Sequence, residues 1–192
     1  NVCSKMTAKE NLSFYSKLFD VETRDPLELI ELVGLKGKEN IKTEEFSKGM
    51  KHRLTFARSM INNPSMWFLD EPTTGLDPAI AADIKDIIKE RNNKGVTVFL
   101  TTHNMYIADE LCDRVGFIVD GEIKLIDSPK NLKLQYGEKL VEVEYAQNGN
   151  VKKECFSTIM QEDKNTLNKI IEDKEILTMH TKEATLEEIF IK

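Results

Sequence analysis

Apolar positions recur along this chain with two different periods, and the switch between them predicts its elements. Over residues 7–19, TAKENLSFYSKLF, the apolar Leu12, Tyr15, Leu18 and Phe19 fall on one helical face, and Thr7 with Glu10 has capping-box spacing. Asp25-Pro26 with Glu28 starts a second helix that runs through Ile30 and Val33 to a stop at Gly34. The first forty-odd residues therefore predict a helical unit with no strand of its own. Ser47 can cap a third helix with Leu54, Ala57, Met60 and Ile61 on its buried face, ended by Asn62-Asn63-Pro64. MWFLD (66–70) is a continuous apolar run, which predicts a central parallel strand covered on both faces. Asp77-Pro78 opens a helix with Ile80, Ile84, Ile87 and Ile88 inside, and VTVFLT (96–101) after Gly95 reads as a second buried strand. A helix around Met105–Leu111 follows, then VGFIV (115–119) and EIKLI (122–126), joined at Asp120-Gly121 as a hairpin. This alternation predicts an α/β parallel sheet ending in an antiparallel edge.

Ser128-Pro129 starts a short helix that stops at Gly137, and beyond it the period becomes two. Val141, Val143 and Tyr145 share a face, and Asn148-Gly149 turns the chain into VKKECF. A helix with Leu167, Ile170 and Ile171, a strand near Ile176–Met179 and a capped terminal helix (Thr185, Glu188, Ile189, Phe190) complete the pattern. Residues 138–192 read as a small α+β appendage with its own hydrophobic face. The chain shows neither an internal repeat nor a low-complexity tract.

Composition narrows the function classes. The 192 residues carry 27 Lys+Arg against 33 Asp+Glu, a net charge of −6, with 40% hydrophobic residues. That balance disfavours a general nucleic-acid binder, which needs a clustered basic surface. Wholly apolar runs are only a few residues long, too short to span a bilayer. Cys3, Cys112 and Cys155 are odd in number and far apart, so they predict free, buried thiols and neither a disulfide framework nor a zinc site. His52 and His180 have no partners at metal-ligand spacing.

Candidate chemistry gathers where the predicted strands end. Ligands of open α/β sheets sit beyond the carboxyl ends of the strands, which is where Asp70 and Glu71 fall. An apolar strand delivering Asp70 there suits a carboxylate presented to Mg²⁺ in a P-loop nucleotidase, and Glu71 beside it can orient or deprotonate a water. Pro72 biases Glu71 to extended backbone. The strand 96–101 leads into Thr102-His103, so His103 should emerge on the same edge, able to contact a terminal phosphate or hold the attacking water. Phe46-Ser47-Lys48-Gly49-Met50 lies at a helix start, where the Ser47 hydroxyl, the amides near Gly49 and the Lys48 charge make an anion pocket, with a plain Ser cap as the simpler reading. Asp77 caps the next helix, with reach to a neighbouring chain as the alternative.

In order and spacing, FSKGMKHRLTFARSMINNPSMWFLDEPTTGLDP followed by VTVFLTTHNM closely resembles the ATP-binding domain of ABC transporters. The resemblance makes 46–50 the signature motif, 66–71 Walker B, 75–77 the D-loop and Thr102-His103 the switch histidine. It spans about 1–136 and implies a partial P-loop NTPase-type parallel sheet with an α-helical subdomain. On that reading, 1–137 is the back part of an ATP-binding domain (helical about 1–62, core about 63–137), and 138–192 is an accessory α+β domain. It further implies ATP and Mg²⁺ as cofactors and a head-to-tail dimer, in which Ser47 and Gly49 of one subunit contact the γ-phosphate held by a second ATP-binding subunit, with Lys48 and Met50 in the same nucleotide-binding motif. Asp70 would support Mg²⁺, Glu71 the attacking water and His103 the γ-phosphate, with Asp77 in the D-loop. The short tail ending in ATLEEIFIK resembles drug-resistance-type exporter ATPases, whose partner is a separate transmembrane permease and whose place is the cytoplasmic face of the membrane.

Two departures stand out. The signature usually has Gly where this chain has Lys48 and Gln where it has Met50; Lys-Gly-Met matches the exporter-like branch. No G-x-x-x-x-G-K-[ST] motif occurs in the sequence, and no Gln-bearing loop precedes the helical unit. The expectation is that the chain is the back two-thirds of a longer subunit, that alone it neither grips ATP tightly nor turns it over, and that its strands bare apolar surface and associate. The leading reading is an exporter ATPase. The alternatives are a non-transport ABC ATPase of translation or DNA repair, and an inert fragment acting only in dimerisation.

Overall fold

The computed structural model describes residues 2–191. Two compact units divide between His103 and Asn104.

The first unit opens with three α-helices, a 3-10 turn at Thr43–Glu45 preceding the third. α1 (Ala8–Ser16) carries the capping box: Thr7 Oγ1 accepts from the Glu10 amide, and a Glu10 carboxylate oxygen accepts from the Thr7 amide. It ends sooner than the apolar pattern predicts. Leu18 and Phe19 lie past its last turn and are exposed, while Leu12 is buried. α2 (Pro26–Leu32) is capped by the Asp25 carboxylate, which accepts from the Leu27 amide. α3 (Lys48–Arg58) starts at Ser47, whose Oγ accepts from the Met50 amide at 3.2 Å. Its Leu54 and Ala57, with Met60 and Ile61 in the following turn, are fully buried together with Leu12, Leu29 and Ile30. These side chains form the helical core.

The chain then enters β1 (Met66–Asp70), crosses through α4 (Pro78–Asn93) and returns as β2 (Thr97–Thr101), parallel to β1. The ladder is in register from Met66 opposite Thr97 to Asp70 opposite Thr101. One face of β1 is covered: Trp67 and Leu69 are buried, and the Trp67 indole donates to Ser59 Oγ at 2.8 Å beside the Phe56 ring. The other face is open, contrary to the two-sided burial predicted for 66–70 and 96–101. Phe68 and Phe99 are 66% and 59% exposed, and their rings meet at 5.7 Å between centroids. The continuous apolar run is real, but within this unit the helices lie against only one side of it.

In the second unit, α5 (Met105–Leu111) precedes the hairpin of β3 (Val115–Val119) and β4 (Glu122–Asp127). Asp120 and Gly121 both take positive φ, 53° and 77°, as a tight hairpin turn requires. The hairpin forms a two-stranded sheet. α6 (Pro129–Tyr136) stops at Gly137, where a Cβ would lie 2.5 Å from that of Ala184. β5 (Leu140–Gln147), β6 (Asn150–Ser157) and β7 (Ile176–Lys182) make an antiparallel sheet in the order β6-β5-β7. α7 (Gln161–Asp173) covers one face of it, with Leu167 and Ile170 against Val143, Tyr145 and Phe156. α8 (Leu186–Ile191) packs elsewhere, placing Leu186 and Ile189 with Ala108, Val115, Phe117 and Leu132.

The cysteines depart from expectation. Cys3 and Cys155 are exposed, and only Cys112 is partly buried, where burial and the Asp113 charge push its thiol up. The buried-thiol tendency fails because Cys155 lies on the open face of β6, opposite Glu142 of β5, and Cys3 precedes the first helix. All three are free. Among the described residues, no helix is long and apolar enough to cross a membrane.

Candidate active site at the strand ends

Two parallel strands of equal length and matched register must finish at the same level. β1 delivers Asp70 and then Glu71 at the level where β2 delivers Thr101 and, two residues on, His103. The Thr101 hydroxyl donates to Asp70 Oδ1 at 2.5 Å, leaving Oδ2 open on an exposed carboxylate.

Glu71 carries most of the remaining contacts. Its amide donates to the Thr101 carbonyl at 3.0 Å, so the pairing continues one residue past the strand. Its Oε1 accepts from the His103 amide at 3.0 Å and lies 2.7 Å from His103 Nδ1. Its Oε2 accepts from Thr74 Oγ1 at 2.7 Å. Partial burial pushes the carboxyl up, but the hydrogen bonds from Thr74 and from the His103 ring and amide outweigh it, and the group sits below its ordinary 4.5. The carboxylate is therefore ionised at neutral pH. The 2.7 Å contact with an ionised carboxylate calls for a proton on His103 Nδ1, and the Nε2 edge belongs to a side chain 77% exposed.

Glu71 also overturns the backbone expectation. Its φ is +47°, in the left-handed region, although Pro72 follows it. Such a conformation costs on the order of 1–3 kcal/mol in a non-glycine residue. It persists here because the amide, both carboxylate oxygens and the 71–74 turn (Thr74 amide to Glu71 carbonyl, 3.2 Å) all pull the residue into place.

The signature-like segment stands apart from this network. Ser47 is spent as the cap of α3, with Lys48 exposed and Gly49 and Met50 half-buried in the first turn. The amides of Lys48 and Gly49 precede the helical ladder, which begins with the Lys51 amide donating to the Ser47 carbonyl. Asp77 caps α4, accepting from the Ile80 amide at 3.1 Å. A Cβ on Gly49 would stand 3.9 Å from Leu76, so the turn before α4 lies against the start of α3. Among the described residues, no hydrogen bond joins Ser47–Met50 to Asp70, Glu71 or His103. The structure thus brings together Asp70, Glu71 and His103, and it adds two groups that motif spacing missed: Thr101 on Asp70 and Thr74 on Glu71. The register of two five-residue strands could have pointed to Thr101, whereas Thr74 depends on the turn that follows Glu71.

Among the described residues, no cluster of three or more His, Cys, Asp or Glu side chains could enclose a metal. Asp70 offers one open oxygen, which fits Mg²⁺ held through a single carboxylate and the phosphates of a bound nucleotide.

The fold and the strand-end carboxylates have the α/β arrangement of a P-loop NTPase-type domain, and comparisons with known proteins narrow it. Residues 8–109 match the family described as "AAA domain, putative AbiEii toxin, Type IV TA system". The whole chain aligns at 44% and 43% identity with fluoroquinolones export ATP-binding proteins from two strains of Mycobacterium tuberculosis, covering 64% of each. ABC transporter A family member 8 of Arabidopsis thaliana is 39% identical over 143 residues, 71% of this chain and 16% of that protein. Among solved structures, a dimeric post-hydrolysis ATP-binding cassette bound to ADP and Pi superposes with a TM-score of 0.60 at 26% identity, covering 67% of this chain and 59% of that one. The ATP-binding subunit of an ABC transporter superposes at 0.64 and 22% identity, covering 71% and 59%, a likeness of fold. The chain belongs to the AAA-domain family matched over residues 8–109. It spans about two-thirds (64%) of the length of the mycobacterial relatives.

Proposed function

We propose that the chain forms the Walker B, D-loop, switch-histidine and signature parts of a subunit that hydrolyses ATP to drive an exporter. The observation that supports this most is the Glu71–His103 pair beside Asp70, at the shared end of two parallel strands. In this reading Asp70 is the carboxylate that would hold Mg²⁺, which would supply positive charge to offset that of the nucleotide phosphates. Glu71, ionised and fixed on both oxygens, orients a water and takes its proton. His103 holds Glu71 through Nδ1 and turns Nε2 toward the terminal phosphate. Ser47, Lys48, Gly49 and Met50 meet the nucleotide held by a second ATP-binding subunit, through the α3 amides and the Lys48 charge, with Asp77 placing the D-loop between the copies. Head-to-tail pairing is supported by Ser47–Met50 and Glu71 standing in separate hydrogen-bonded groups of one chain, so that a second copy would supply the signature-like segment to the site.

Residues 1–137 serve as the ATPase part and 138–192 as an accessory domain, in this reading. The membrane step belongs to a separate permease, which places the subunit on the cytoplasmic face of the membrane. Because the sequence holds no phosphate-cradling P-loop motif, the 192-residue chain by itself neither grips ATP tightly nor turns it over. Replacing Glu71 by Gln in the complete gene product tests the proposal: hydrolysis stops while ATP still binds. Unchanged turnover would remove Glu71 from the chemistry.

A further inference from the structure

We infer that Thr74 is a positioning residue for this reaction, holding Glu71 so that one acceptor position of its carboxylate is left for the water. The inference rests on the ATPase reading above and deepens it.

A carboxylate has about four acceptor positions, two on each oxygen. On Glu71, Oε1 is filled by the His103 amide and ring, and Oε2 accepts the Thr74 hydroxyl at 2.7 Å. One position remains, on Oε2, and its direction is set by Thr74. Without the hydroxyl, Oε2 has two equivalent acceptor positions, and a water can be held in the wrong one. The hydroxyl is itself fixed by backbone. Thr74 closes the 71–74 turn through its amide, and the Leu76 amide donates to the Thr73 carbonyl at 3.3 Å before Asp77 caps α4. Thr74 is exposed and makes no other side-chain hydrogen bond among the described residues, so orienting Glu71 is the one contact its hydroxyl serves.

The test compares Thr74→Val, Thr74→Ala and Thr74→Ser in the complete gene product, with Glu71→Gln alongside. Val and Ala remove the hydroxyl and Ser restores it. The expected result is a kcat roughly tenfold lower in Val and Ala, the size of one hydrogen bond to a charged group, with KM for ATP unchanged and kcat recovered in Ser. If Glu71→Gln abolishes turnover while Val and Ala keep wild-type kcat, the positioning role is overturned and the ATPase reading stands. Equal losses in Ser, Val and Ala also overturn it, since they mean the site tolerates no change. If Glu71→Gln turns over normally, the ATPase reading itself has failed.

Discussion

One oxygen of Glu71 meets both the amide and the ring Nδ1 of His103, at 3.0 and 2.7 Å, although the two residues lie 32 positions apart. The contact exists because β1 and β2 run parallel in unshifted register, so the residues just beyond Asp70 and Thr101 must meet. A shift of one residue would turn those side chains to opposite faces and break the pair.

The pair makes the site pH-sensitive in one direction. Glu71 is held below 4.5, so the stabilisation from its hydrogen bonds is complete above the unfolded carboxylate value and is lost as pH falls through the lowered one. Carbon-13 titration of the Glu71 carboxyl in the 192-residue chain should give a midpoint below 4.5, and Thr74→Val should move it up. A midpoint at or above 4.5 in the unmodified chain contradicts the network.

The open face of the parallel pair predicts an asymmetric cost. Leu69 is buried and Phe68 is not. Leu69→Ala should cost about 2–5 kcal/mol, as truncation of a buried leucine does, while Phe68→Ala costs well under half of that. The single tryptophan, Trp67, precedes them on the same strand and reports local unfolding in denaturant by its fluorescence. Equal costs would mean that both faces of β1 are covered.

Ser47 allows a helix cap to be separated from a phosphate contact. Ser47→Ala loses the cap and about 1 kcal/mol of stability, and Ser47→Asp restores the cap. In the complete gene product Asp should still fail to support hydrolysis, because it sets a negative charge where the proposed phosphate approaches. Full turnover in Ser47→Asp, read by phosphate release, would leave Ser47 with the cap alone.

The 192-residue chain should bind ATP more weakly than micromolar by calorimetry, since on the proposed reading Asp70 and Glu71 would face a nucleotide that no P-loop motif of this sequence can cradle. Micromolar affinity would show that α3 and the strand ends suffice.

Sequence reading reached the elements with local causes. Asp25, Ser47 and Asp77 cap the helices they were expected to cap, because a side-chain acceptor two or three residues before a free amide acts locally. Asp70, Glu71 and His103 were legible as strand-end residues on one edge. What escaped depends on distant context. The apolar runs of β1 and β2 do not reveal that helices lie against one side only, so the exposure of Phe68 and Phe99 was missed. The left-handed Glu71 was missed because a dipeptide rule sees Pro72 and not the contacts from Thr74, Thr101 and His103. Leu18 and Phe19 continue the helical period on paper, but α1 ends at Ser16 and leaves them in solvent.

The most direct measurement is ATP turnover beside ATP affinity in the complete gene product carrying Glu71→Gln. A positioned general base is worth about 10²–10⁴-fold in rate. Turnover should fall by at least the lower figure with ATP affinity retained. Turnover within a few-fold of the unmodified protein would contradict the account.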